Sequence, residues 1–349
     1  MTHLDILVPF GLPPPEFAND LLRQLNLPAL AALLAKSAPT LSTGNMNGEQ
    51  FARALPHEAW VAERFGLSGR GSPAVASPVM HAAGQPPEAG YWFMLNPVHF
   101  HIAQDHIVLT DSRRLGLGEE ESRQLFAMAA ELFEEAGKPL RYGDAGTWFA
   151  RADDWRGLQT ATPDAASGRN IDIWMPSGDS ARAWRKLQNE VQMHWFTHPL
   201  NARREAAGAK PVNSLWLWGG SEAQAGIAAG YTHGYGAATP WLRSLLTRLP
   251  QHAPAGTGSD LLANPPANGL LVLDELIEPA LANDWGDWAA RMESFERDWF
   301  APLLEGLRSA KLDQLSLTLT NDGKSATFAA TRHSLRKFWV KPSLARLAP

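Results

Sequence analysis

NEVQMHWFTHPLNARREAAGAKPVNSLWLWGG, residues 189–220, decides how the rest of this chain is read. An amphipathic helical run ends at His198-Pro199, and a short basic helix over 201–207 stops at Gly208. Residues 214–218 then form an apolar run of strand length that breaks into Gly219-Gly220, the pattern of a buried strand. Trp216 and Trp218 alternate along it and share one face. His198, Asn201, Arg204 and Asn213 sit at the ends of these elements, where a rigid scaffold presents groups to a ligand. Arg204 can fork onto a phosphate or carboxylate, and Gly219 lets backbone N–H groups approach an anion. Equally, Asn201 can cap the short helix, and Arg204 can pair with a neighbouring carboxylate.

Working outward, the chain of 349 residues is long for one core, so two domains or one domain with a large insertion are expected. Apolar residues make up 45% and charged ones 19%, an ordinary globular balance. A net charge of -5 without a basic cluster excludes a nucleic-acid footprint. Cysteine is absent, which removes disulfides, thiolate metal sites and a cysteine nucleophile, and fits a reducing cytoplasm. The opening MTHLDILVPFG does not have the pattern of a signal peptide, and no apolar run reaches the roughly 18 residues of a membrane span. The expectation is a cytoplasmic protein with neither nucleic acid nor membrane as partner. Fourteen tryptophans are unusual. They fit core packing, where their large apolar area counts most, or an aromatic platform for a ligand or protein partner.

Residues 4–8 (LDILV) read as a first strand running into GLPPPE, and helices are predicted over 16–25, 28–35, 47–55 and 57–65. The Gly/Pro/Ser/Ala-rich stretch 66–90 reads as a linker. Short strands follow at 91–95, 98–103 and 106–109, then an amphipathic helix over 118–136 whose first turn carries Glu119, Glu120 and Glu121, and strands at 140–142 and 147–151. Later come a helix over 239–249, a buried strand at 269–273 leading into Asp274-Glu275, and a long helix over 285–307. A hairpin is expected around Asn321-Asp322-Gly323-Lys324. Strands alternating with helices at both ends of the chain predict an α/β core with an inserted α+β unit.

The residues His198-Pro199-Leu200-Asn201, Arg204, Gly208, Pro211-Val212-Asn213 and Trp216-Leu217-Trp218-Gly219 resemble a signature of archaeal-type cofactor-independent phosphoglycerate mutases, of the alkaline phosphatase superfamily. They are still more similar to the RpfE-type regulatory proteins of bacteria, as is Pro97-Val98-His99. Looser resemblance extends to Thr162-Pro163 with Gly168 and Pro176, to 91–111, and to Leu271-Val272-Leu273-Asp274 with 292–307. The resemblance implies an alkaline-phosphatase-like α/β core, a mixed sheet flanked by helices, formed by 1–85 and 212–349, with a smaller α+β domain inserted over 86–211. It also implies His198, Asn201, Arg204, Asn213, Trp216, Trp218 and Gly219 as ligand-binding residues.

Active members hold two divalent cations on Asp and His residues and use a Ser or Thr nucleophile, the two metals clamping the oxygens of phosphoryl transfer. Here the Asp-Gly expected after the first strand is replaced by Val8-Pro9-Phe10-Gly11, and the late Asp-His pair reads Asp322-Gly323. Asp274, Asp287 and Asp322 remain as metal candidates. The resemblance therefore implies a catalytically degenerate, regulatory or ligand-binding relative with no cofactor and a phosphorylated or carboxylate small molecule as ligand. The alternatives are an active phosphomutase or phosphatase with relocated ligands (drawing on His99, His101, His198 or His233) and bound Mn²⁺ or Zn²⁺, and an interaction protein using a Trp-rich surface. His194 and His198 are spaced i, i+4 but lack the glutamate of the HExxH motif. His99, His101 and His106 fit either a three-histidine site or surface strand histidines.

Overall fold

A computed structural model describes residues 2–43, 52–103, 105–224, 226–254 and 256–348. The chain divides into two units, one made of Met1–Glu49 with Ala229–Pro349 and the other of Gln50–Ala228. The first unit opens with β1 (His3–Val8), α1 (Pro15–Gln24), α2 (Pro28–Lys36) and β2 (Ala38–Thr43). Four of the six residues of β1 are apolar, and these four, Leu4, Ile6, Leu7 and Val8, are fully buried, as suits a strand covered on both faces. Both helices begin on a proline, whose missing N–H would have had no intrahelical partner there.

The second unit runs through α3 (Pro56–Phe65), α4 (Ala76–Ala82), β3 (Tyr91–Val98), β4 (Phe100–Ala103), β5 (His106–Leu109) and α5 (Glu119–Glu135). It continues with β6 (Leu140–Asp144), β7 (Thr147–Arg151), α6 (Pro163–Ala166), α7 (Ala181–Phe196), α8 (Pro199–Ala206) and β8 (Ser214–Glu222). Its antiparallel sheet has the order β6-β7-β3-β8, and β4 and β5 form a separate hairpin. Leu125 and Phe133 of α5 and Trp184, Val191 and Trp195 of α7 share a core with Phe93, Leu95, Trp148, Leu215 and Leu217 of the sheet.

The first unit resumes with β9 (His233–Gly236), α9 (Pro240–Leu246), β10 (Gln251–Ala253), α10 (Gly258–Leu261), β11 (Asn268–Val272) and α11 (Ile277–Leu281). It closes with α12 (Trp285–Phe295), α13 (Ala301–Arg308), β12 (Gln314–Thr320) and β13 (Lys324–Thr331). Seven strands make its mixed sheet in the order β10-β9-β11-β1-β12-β13-β2. The run from β10 to β12 is parallel, while β13 lies antiparallel to both β12 and β2. The α/β core with a mixed sheet is thus present, and the hairpin turn falls at Asn321-Asp322-Gly323 as its residues predict.

Several expectations change. The domain edges fall near residues 50 and 228, not at 85/86 and 211/212, because β8 pairs with β3 along its length and α4 packs on both strands. The supposed linker contains α4, whose Pro78 lies in the first turn, where an absent N–H breaks no helical bond. Of the helix predicted over 47–55, residues 47–51 lie outside the described residues, and 52–55 are not helical. The long helix over 285–307 is interrupted by a π-helical turn, Glu296–Phe300, just before Pro302, which cannot donate to the preceding turn. The tryptophans are interior: Trp92, Trp148, Trp155, Trp184, Trp195, Trp216, Trp218 and Trp288 are among the largest fully buried side chains. Among the described residues the strongly exposed tryptophan is Trp339, so a Trp-rich surface does not exist.

Candidate functional site

The motif at 189–220 proves to be a hydrogen-bonded brace. His198 caps α8, its Nδ1 accepting from the Leu200 N–H at 3.2 Å. Asn201 donates to the Trp195 and Val212 carbonyls, each at 2.9 Å, and accepts from the Val212 N–H at 2.8 Å. Arg204 is 4% exposed, and all three of its nitrogens are engaged: Nε with the Lys210 carbonyl at 2.8 Å, Nη2 with that of Leu115 at 2.5 Å, Nη1 with the Glu121 carboxylate. The Trp216 indole donates to the Ala161 carbonyl at 2.8 Å and that of Trp218 to Asn96 Oδ1 at 2.5 Å. Gly219 has φ 73°, and its N–H meets the Ser72 hydroxyl at 3.0 Å. These groups face the chain itself, which corrects the expectation of a shared ligand cradle. Asn213 is the exception, for it borders a cavity while it clamps both backbone groups of Phe100 at 2.7 and 2.8 Å.

That cavity is a groove of about 860 Å³ between the β4–β5 hairpin and α7. Phe100, Ile102, Ile107, Met193 and Phe196 line it, with Arg185 and His101 among its polar groups. Ile102 is 78% exposed, Met193 72% and Phe196 83%, an apolar concentration that marks binding surfaces. Arg185 has no hydrogen-bond or ion-pair partner among the described residues, so its guanidinium is available beside this surface.

The C-terminal edge of the seven-stranded sheet is where the resemblance puts two cations. There the Phe10 carbonyl accepts from the Trp288 indole at 2.9 Å, and the Phe10 N–H donates to the Thr320 hydroxyl at 3.3 Å. Asp274 accepts from the Ala238 and Thr239 N–H groups at 2.6 and 2.7 Å. Asp287 pairs with Arg291 at 2.8 Å, and Asp322 lies exposed in the hairpin turn. Among the described residues, none of the three carboxylates joins a group of three close metal donors. A two-cation centre does not fit this edge. The histidines do not supply one either: His99 bonds the Pro211 carbonyl, His101 the Thr110 hydroxyl, His106 the Asp105 carboxylate and His233 the Thr232 hydroxyl.

A cluster that the sequence reading passed over lies in the second unit. α3 and α6 each begin on a proline, and their first turns bring His57, Glu58 and Asp164 together, with donor atoms within 4.8 Å of one another. Glu58 Oε2 accepts from the Leu55 N–H at 2.7 Å, closing the first turn of α3, and from the Thr162 hydroxyl at 2.6 Å. Thr162 in turn caps α6. Arg113 forks onto Asp164 at 2.8 and 3.1 Å and also pairs with Asp111 at 2.9 Å. Burial, with the nearby Asp164 charge, pushes Glu58 up to about 8. Burial holds His57 down at about 4, so its imidazole is neutral at neutral pH. Burial likewise raises Asp111. The visible signals were Leu55-Pro56-His57-Glu58 and Thr162-Pro163-Asp164, two helix starts whose meeting no local spacing announces.

No protein-family model matches the chain. A relative from Geobacter sulfurreducens named "Probable 2,3-bisphosphoglycerate-independent phosphoglycerate mutase" is 36% identical over 73 residues, 20% of this chain and 18% of that protein. The match thus spans less than a fifth of the relative's length. The cofactor-independent phosphoglycerate mutase of Thermoplasma acidophilum superposes with a TM-score of 0.43 at 14% identity, covering 100% of this chain and 94% of its own. The PH0037 protein of Pyrococcus horikoshii gives 0.49 at 13% identity, covering 95% and 87%. The chain is similar to cofactor-independent phosphoglycerate mutases, at low identity and over a limited part of its sequence.

Proposed function

We propose that this is a cytoplasmic, phosphoglycerate-mutase-like protein of the RpfE regulatory type that works by binding a ligand and not by phosphoryl transfer. The observation that carries this reading is the sheet edge. Among the described residues Asp274 joins no group of three close metal donors, and Val8-Pro9-Phe10-Gly11 offers no carboxylate, so this edge lacks a donor set with which two metals could clamp a transferring phosphoryl group. The binding surface is the groove of the second unit. Its volume lies within the range of small-molecule sites, and an apolar wall beside Arg185 fits an amphiphilic carboxylate or phosphate ester.

Titration with decanoate and decyl phosphate, followed by tryptophan fluorescence, tests the binding half. Saturable binding that weakens about three- to tenfold in Arg185→Ala is expected, the size of one exposed ion pair, with a greater loss in Met193→Glu. The catalytic half is tested on protein loaded with Mn²⁺ and supplied with phosphoglycerate. Turnover above that of the free metal ion overturns the reading.

A further inference from the structure

We propose that His57, Glu58 and Asp164 form a site for one divalent cation of the Zn²⁺ type, built from residues of the second unit alone. One imidazole and two carboxylates are a donor set that Zn²⁺ accepts. The three donor atoms already lie within 4.8 Å of one another. Zn–N and Zn–O bonds of about 2.0–2.2 Å place tetrahedral donors about 3.4 Å apart, so the three draw inward around the ion.

Three features make the cluster more than adjacent acids. First, it is interior: His57 and Glu58 are each 1% exposed and Asp164 9%. Second, three carboxyl groups are set around one guanidinium, Asp111 and Asp164 paired with Arg113 and Glu58 within its field, and buried carboxyl groups need a cation or a proton to offset them. Third, the donors are already oriented. The Leu55 N–H and Thr162 hydroxyl hold Glu58 through Oε2, which leaves Oε1 to ligate, and the Arg113 fork fixes Asp164. Polar contacts of this kind behind the ligands are what set a metal site's geometry. His57 and Glu58 are consecutive in the first turn of α3 and Asp164 belongs to the first turn of α6, so the ion ties two segments far apart in sequence. Its role is to clamp these two helix starts, with a water or chain oxygen completing the coordination.

The test uses the full chain, loaded with Zn²⁺, dialysed against metal-free buffer and analysed by mass spectrometry. One retained equivalent per chain is expected, falling to none in His57→Ala and in Asp164→Asn, with circular dichroism confirming that each variant is folded. Zinc retained equally by a folded His57→Ala variant overturns the proposal, as does wild-type protein that keeps no metal. Should neither variant fold, Co²⁺ added to wild-type protein decides. Visible d–d bands of a four- or five-coordinate ion, displaced by one equivalent of Zn²⁺, support the site, and a spectrum of hexaaqua Co²⁺ alone refutes it.

Discussion

Arg204 shows how a residue that resembles a ligand-binding group serves the fold instead. Its guanidinium joins α8 to the Lys210 and Leu115 carbonyls and to Glu121 at the start of α5. Truncation leaves two carbonyls without their donor and a half-exposed carboxylate without its partner. Arg204→Ala is expected to cost about 2–3 kcal/mol in urea unfolding, since breaking a buried pair strands the remaining partner. Arg204→Lys recovers little, because one ammonium cannot reproduce a three-nitrogen fork. Decanoate affinity in the folded Arg204→Ala variant stays within about twofold of wild type, because the side chain does not border the groove. A large loss of affinity with unchanged stability would return Arg204 to the ligand site.

At the scale of elements, the two helix starts at α3 and α6 make stability depend on pH in a way whose sign can be worked out. Glu58 ionises near 4.5 in the unfolded chain and near 8 in the fold, so the native state holds an extra proton between those values and loses stability as pH rises. His57 titrates near 6.5 unfolded and near 4 folded, so the native state lacks a proton between those values and loses stability as pH falls. From about pH 4.5 to 6.5 the two effects oppose each other, giving a plateau; above it only the Glu58 effect remains, and stability declines toward pH 8. In Glu58→Gln, measured with chelator present, that upper decline should flatten, and the plateau should give way to a fall that begins near pH 6.5, where His57 alone sets the slope. An unchanged decline in the variant would place its cause elsewhere.

The same elements show what a sequence discloses. Apolar runs of strand length announced β1 and β11, a turn sequence announced the β12–β13 hairpin, and acidic residues marked the start of α5. These are signals between residues a few places apart. β9, reading HGYG, was missed because glycine weakens a strand; its hydrogen bonds come from β10 and β11, with which it pairs in parallel. The site was less legible for the same reason. Whether Asn201 or Arg204 faces a ligand or the chain depends on partners such as Leu115, 89 residues from Arg204. The groove depends on a hairpin meeting α7, and the His57 cluster on two helix starts converging.

For the whole molecule, the two units differ in how the chain supplies them. The second is one uninterrupted stretch, Gln50–Ala228, whereas the first is assembled from Met1–Glu49 and Ala229–Pro349. The second unit also has its own sheet, with a core from Phe93 and Trp148 to Trp184 and Trp195. At roughly 180 residues it is well above the size at which a single core needs disulfides or metals to fold. Expressed alone, residues 50–228 are therefore expected to unfold in one cooperative urea transition, to bind decanoate as the full chain does, and to retain the zinc equivalent, since all three donors lie within the fragment. A fragment that binds a hydrophobic dye strongly and melts without a cooperative transition would show that its core requires the first unit. Zinc retention by a cooperatively folded fragment would, in the same preparation, exclude Asp274, Asp287 and Asp322 as the ligands, because none of them is present.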